Sequence, residues 1–161
     1  MTVITTLPAK RKEKQQLFER KMLRQLSLDE LERDIHQCFR PLLSLQCTSR
    51  KMNAGAVSKN QSVQAYPFLL DQCLDTVIDA YLLGATHGRF GFYGETVCEA
   101  KERCDIEREV FVHGLCAALM GWADEPKERY ELFLGATEPL IDRWWNKGFQ
   151  EGKKAYRLRL Y

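Results

Sequence analysis

The stretch Pro67-Phe-Leu-Leu-Asp-Gln-Cys-Leu-Asp-Thr-Val-Ile-Asp-Ala-Tyr-Leu-Leu-Gly84 decides the fold class. Leu70, Cys73, Leu74, Val77, Ile78, Tyr81 and Leu82 recur at intervals of three and four, the period that lines one face of an α-helix. Pro67 suits a first helical turn, where its missing N–H has no partner to lose. Gly84 reads as the stop.

Upstream, the same period returns twice. Phe18, Met22 and Leu26, flanked by Leu17 and Leu23, give a narrow apolar stripe on a highly charged helix that Thr6 is expected to cap, with Pro8 near its start. Ser27-Leu28-Asp29-Glu30 has the form of a capping box, serine capping and glutamate reaching back. It opens a second helix carrying Leu28, Leu31, Ile35, Cys38, Phe39 and Leu42, which Pro41 is expected to kink or end. Residues 47–65 are polar, rich in Ser, Asn, Gln and Gly, and without apolar period; they read as a flexible linker.

Downstream, a fourth helix is expected from Glu95 to Ala123, with Val97, Cys104, Phe111, Leu115, Leu119 and Trp122 as its buried side. Asp124 and Pro126 open a short fifth helix through Tyr130, Phe133 and Leu134. Thr137 and Pro139 open a sixth, carrying Leu140, Ile141, Trp144, Trp145 and Phe149. The basic end, Lys153 to Tyr161, reads as a fraying helix or a short extended tail. The expected fold is therefore an all-α helical bundle of five to six helices with an N-terminal charged helical arm. Its expected organisation is an arm or hairpin over 1–46, a linker over 47–65 and a helical body over 66–161 with a basic tail.

Charge divides along the same lines. The 161 residues carry 24 basic and 22 acidic side chains, so the chain as a whole is not a strongly basic nucleic-acid binder. Residues 1–26, however, hold seven basic and two acidic side chains, net +5, whereas 67–124 hold four and ten, net −6. The arm can dock on its own body or on that of a second subunit, or bind an anionic partner such as nucleic acid or a membrane surface. Self-docking takes precedence because the apolar stripe needs a cover. No apolar run reaches a membrane span, and the polar start lacks the apolar core of a secretory signal, so a cytoplasmic location is expected.

The chemistry-bearing residues are sparse. No two of the six cysteines have metal-ligand spacing, and in a reducing compartment they read as buried thiols. Asp71, Asp75 and Asp79 form one helical acidic stripe, and Glu95, Glu99 and Glu102 another. Neither contains the Glu-x-x-His pair of a di-metal bundle, so a solvated face or a dock for the basic arm is expected, with no metal or cofactor. Glu109 and His113 are spaced as an ordinary helical ion pair.

The most distinctive segment is Gly84-Ala-Thr-His-Gly-Arg-Phe-Gly-Phe-Tyr-Gly-Glu95. Read as an interhelical loop, it is either a tight turn whose aromatics plug the end of the bundle or a binding surface. As a surface, its contacts are Arg89, Phe90, Phe92 and Tyr93, with His87, Arg89 and Glu95 forming a site for a small phosphorylated ligand. It fits neither a P-loop nor a Rossmann turn, lacking the closing Lys-Ser/Thr and a preceding strand. Trp144 and Trp145 stand about 100° apart on a helix, so one is expected in the core and the other at an edge against this loop.

Asp79-Ala-Tyr-Leu-Leu-Gly84, Phe90-Gly-Phe-Tyr-Gly-Glu95 and Trp144-Trp-Asn-Lys-Gly-Phe149 resemble the corresponding runs of the YbaK-like family of small Bacillus-group proteins. The likeness spans nearly the whole chain, with 52–64 longer than the family leads one to expect. It implies a bacterial cytoplasmic protein, and because the family has no established activity it carries across no catalytic residue. The expected function is a non-enzymatic module that binds a protein partner or itself, as a homodimer. The alternatives are nucleic-acid binding through arm and tail, and a phosphorylated ligand at 84–95.

Overall fold

The computed structural model describes residues 6–49, 67–123 and 126–158, with 43–49 and 67 described by backbone alone. They form six α-helices: α1 (Leu7–Gln25), α2 (Leu28–Ser49), α3 (Pro67–Phe92), α4 (Val97–Glu102), α5 (Asp105–Ala123) and α6 (Tyr130–Arg157). A single 3-10 turn, Lys127–Arg129, leads into α6, and there is no strand among the described residues. The chain is an all-α bundle.

Its spine is the pair α3 and α6, which run parallel. Gly148 lies against the Tyr81 carbonyl and Gly152 against that of Ala85, so the two helices advance together. α5 runs antiparallel to α6, its Arg108 reaching Asp142 at 2.9 Å and its Cys116 thiol lying 3.8 Å from the Tyr130 carbonyl. α1 and α2 both run antiparallel to α6 and follow one another along it, rather than folding back as a hairpin. Phe18 of α1 meets Tyr156 with ring centroids 5.6 Å apart, whereas in α2 Glu30 meets Lys147 and Asp34 meets Arg143. Phe18, Met22, Leu31, Ile35 and Phe39 thus enter the same buried core as Val77, Tyr81, Leu115, Leu119, Leu140, Ile141 and Trp144.

Several local expectations are corrected. Gly84 does not stop α3, which continues to Phe92 and ends at Gly94, where φ is +106° and the amides of Gly94 and Glu95 close back on the carbonyls of Gly91 and Phe90. Pro41 sits inside α2, which runs on to Ser49, so three residues of the expected linker are helical; the rest of it lies outside the described residues. Pro41 and Gln37, the residue four earlier, are both exposed, so water can serve the carbonyl that loses its N–H partner. Pro139 lies within α6 with exposed Gly135 four earlier, so one helix replaces the expected fifth and sixth and also takes in the tail to Arg157. Thr137 is no cap: it is buried, and its hydroxyl donates to the Phe133 carbonyl at 2.7 Å.

The expected fourth helix is divided into α4 and α5. Thr96 and Glu99 form the reciprocal capping box that opens α4: the Glu99 amide reaches the Thr96 hydroxyl at 3.3 Å, and the Thr96 amide reaches the Glu99 carboxylate at 2.7 Å. At the expected box, Ser27 accepts from the Glu30 amide at 3.4 Å, but the Glu30 carboxylate turns to Lys147 at 2.6 Å. Thr6 makes no side-chain cap bond.

Candidate functional site

The eight residues singled out in the sequence do not form one site. Because α3 is helical to Phe92, the amides of 84–92 are spent within the helix, and the segment is neither the interhelical turn nor the open glycine loop that the two readings of it supposed. Gly84, Gly88 and Gly91 instead face α6. A Cβ at Gly84 would lie 2.9 Å from the Trp145 carbonyl carbon, and one at Gly88 2.5 Å from the Lys153 nitrogen. The glycines are there so that two backbones can touch.

Five of the eight gather beside this crossing. Trp145 is buried and stacks on Phe149 with centroids 5.3 Å apart, and His87 lies 6.4 Å from the indole and 5.6 Å from Phe90. The guanidiniums of Arg89 and Arg103 stand 4.6 and 4.5 Å from the Phe90 ring centroid. Glu95 is clamped by Arg103 through two bonds of 2.8 and 2.5 Å, which holds its carboxyl below the usual range. His87 Nδ1 is bonded to the Leu83 carbonyl at 2.8 Å. Glu95 and Arg103 are spent on each other and His87 Nδ1 on its own helix, and the ring and cation contacts tie α3, α4 and α6 together.

The other three lie apart. Trp144 is buried like Trp145, so neither indole reaches an edge; its Nε1 donates to Asp34 of α2 at 3.1 Å. Phe92 and Tyr93 pair edge to face at 5.2 Å and are exposed to solvent.

Around the cluster, Asp142 accepts from Lys101 at 2.5 Å, Arg108 at 2.9 Å and Asn146 at 3.1 Å. The Trp145 Nε1–H is buried with no oxygen or nitrogen acceptor, and the sulfur of Cys104 beside it is a weak one. Burial pushes the Cys104 and Cys116 thiols up, and that of Cys73 to about 12, so these behave as apolar core atoms. Cys98 is exposed.

Two features escaped the sequence. The first is a cavity of about 400 Å³ between α5 and α6, lined by Asp105, Arg108, Glu109, Val112, His113, Leu134 and Glu138. His113 meets the Tyr130 hydroxyl at 2.5 Å, in place of the expected pairing with Glu109. The second is the outer face of α5. Ile106 (77% exposed) and Val110 (63%) begin a stripe that continues through His113, Gly114, Ala117 and Gly121, all exposed and none formally charged. A Cβ at Gly114 or Gly121 would meet nothing within 4 Å. Trp122, expected in the core, is also exposed and stacks on exposed Phe68 at 6.3 Å. The spacing of four, four, three and four from Ile106 to Gly121 was visible in the sequence. It went unread because the opposite face, Val112, Leu115, Cys116 and Leu119, carries the stronger apolar period.

No helix among the described residues is long and apolar enough to cross a membrane. No solved structure gives a significant match to the chain. The chain is similar to the uncharacterised protein YbaK of Bacillus subtilis (strain 168), 27% identical over 175 aligned positions that cover 98% of this chain and 97% of that one. The family described as "protein of unknown function (DUF2521)" matches residues 1–161, and the chain belongs to it.

Proposed function

We propose that the protein is a non-enzymatic helical interaction module that works as a two-fold homodimer, with α5 of one copy lying antiparallel on α5 of the other. The observation that carries this reading is the size order along the stripe. Antiparallel pairing about the midpoint between His113 and Gly114 sets Ile106 opposite Gly121, Val110 opposite Ala117 and His113 opposite Gly114, so each larger side chain meets a small one. Charge supports the same direction. Asp105, Glu107, Arg108 and Glu109 all lie in the first half of α5, and the second half through Ala123 has no charged residue. Antiparallel helices keep the acidic halves apart, whereas parallel ones would set Glu109 against Glu109. A self-complementary patch of this kind is what a two-fold interface requires.

The test is cross-linking across the axis. In a Cys98→Ser background, Gly114→Cys should oxidise to a disulfide-linked dimer, because residue 114 of each copy stands next to the axis. Leu132→Cys, exposed on α6, serves as the control and should form no disulfide-linked dimer under the same oxidation. No cross-link at 114, or equal cross-linking at both positions, overturns the reading.

A further inference from the structure

The basic half of α1 does not project alone; it joins the ends of two other helices. Gln15 reaches Thr86 at 3.2 Å and the Tyr81 hydroxyl reaches the Met22 carbonyl at 3.4 Å, so α1 runs antiparallel to α3. Leu7 is eight residues before Gln15 and Tyr93 seven after Thr86; at about 1.5 Å per residue both lie roughly 11–12 Å toward the same end. α6, parallel to α3, brings Lys153, Arg157 and Leu158 there as well, beside Phe18 through Tyr156. Lys10, Arg11, Lys12, Lys14, Arg89, Lys153, Lys154 and Arg157 therefore share one end of the bundle. Its acids are Glu13, Glu95, Glu99, Glu102 and Glu151; of these Glu95 is taken by Arg103, Glu151 by Lys154 and Glu99 by the Thr96 cap, so the cations still outnumber the acids. Among the described residues none of Lys10, Arg11, Lys12 and Lys14 has an ion-pair partner.

The same end exposes apolar groups. Leu7 is 66% exposed and Tyr93 78%, with Phe92 and Leu158 exposed beside them. A polyanionic groove has use for the cations and the rings but not for protruding leucines. A lipid headgroup layer takes all three: leucine and aromatic side chains enter the acyl boundary while lysines and arginines reach the phosphates. We propose that this end docks on an anionic phospholipid surface, Leu7, Phe92, Tyr93 and Leu158 entering the interface and the α1 and α6 cations holding the headgroups. The α5 stripe takes no part in this contact.

The test is co-sedimentation of the full chain with vesicles of phosphatidylcholine alone and of an equal mixture of phosphatidylcholine and phosphatidylglycerol. The chain should sediment with the mixed vesicles and not with the neutral ones. Lys10→Glu/Lys12→Glu/Lys14→Glu changes only exposed side chains and should lower the partition at least about tenfold with an unchanged unfolding temperature. Leu7→Ser/Tyr93→Ser should bind at low salt and be released at moderate salt, where the wild type still binds. No sedimentation with the mixed vesicles at low salt overturns the proposal, as does unchanged binding of the triple-lysine variant or binding of Leu7→Ser/Tyr93→Ser that persists at moderate salt as the wild type's does. Retention of a DNA duplex in place of the vesicles, lost in the triple-lysine variant, would assign the end to nucleic acid and overturn it too.

Discussion

The carbonyl of Tyr81 occupies the space where any residue but glycine would place its Cβ at position 148. An added Cβ there would stand 2.8 Å from the carbonyl carbon of Tyr81 and nearer still to its oxygen. Gly84, Gly88 and Gly152 repeat this closeness along the same crossing, so α3 and α6 are joined backbone to backbone.

Gly148→Ala must therefore push the two helices apart, and since Tyr81, Trp144 and Trp145 are all buried there the whole core feels it. A loss of roughly 2–3 kcal/mol is expected by denaturant unfolding. Gly135→Ala is the same substitution in the same helix, where the new methyl meets nothing within 4 Å. It should stabilise by about 0.5–1 kcal/mol through helix propensity. The opposite signs separate close packing from backbone freedom.

Asp34 gathers the Trp144 indole at 3.1 Å and Arg143 at 3.0 Å, fastening α2 to α6. Asp34→Ala leaves the indole N–H of a buried tryptophan without its acceptor and should cost about 1–3 kcal/mol. Arg143→Ala removes only an exposed ion-pair partner and should cost less than about 1 kcal/mol. Equal losses in the two variants by urea denaturation would show that the ion pair, rather than the indole bond, holds α2.

Asp79 and Glu95 should respond to pH in opposite senses. Burial first, then Asp75 and Glu19, raises the Asp79 carboxyl above its usual range. Its folded pKa exceeds the unfolded one, so its ionisation opposes folding at neutral pH, and that opposition is gone below the unfolded pKa. Asp79→Asn should raise Tm at about pH 7 and leave it unchanged at about pH 3. Arg103 lowers the Glu95 carboxyl, so its contribution is present above the ordinary carboxylate pKa and is lost as pH falls through the folded value. Glu95→Gln should lower Tm slightly at about pH 7, by an amount that shrinks as the pH falls into the acid range. The Asp79 environment also bears on how α1 is held: one of its few acids, Glu19, faces an acid of the body, and the helix is seated by Phe18 and Met22.

The helical class, the seating of α1 through Phe18 and Met22, and the α2 face of Leu31, Ile35 and Phe39 were legible because apolar period reports burial directly. The path of the chain between 84 and 95 was not. A glycine inside a helix is locally unfavourable, and only the approach of α6, some sixty residues away in sequence, makes Gly84 and Gly88 worth having. Thr137 and Pro139 were misread for a related reason. Thr-Glu-Pro has the chemistry of a helix start, but the buried Thr137 hydroxyl finds the Phe133 carbonyl and Pro139 faces solvent, so α6 passes through. Of the candidate site, His87, Arg89, Phe90, Glu95 and Trp145 do come together, though as a fastening between helices. The exposed α5 stripe escaped because its small residues give little hydropathy signal.

The molar mass of the full chain in solution, by light scattering after size exclusion, tests the α5 pairing most directly. The wild type should elute at twice the chain mass of 18.7 kDa, and Val110→Glu, which sets a charge against Ala117 of the second copy, should elute at 18.7 kDa with its helix content intact. A wild type that stays at 18.7 kDa up to high concentration, or a dimer that survives Val110→Glu unchanged, would contradict it.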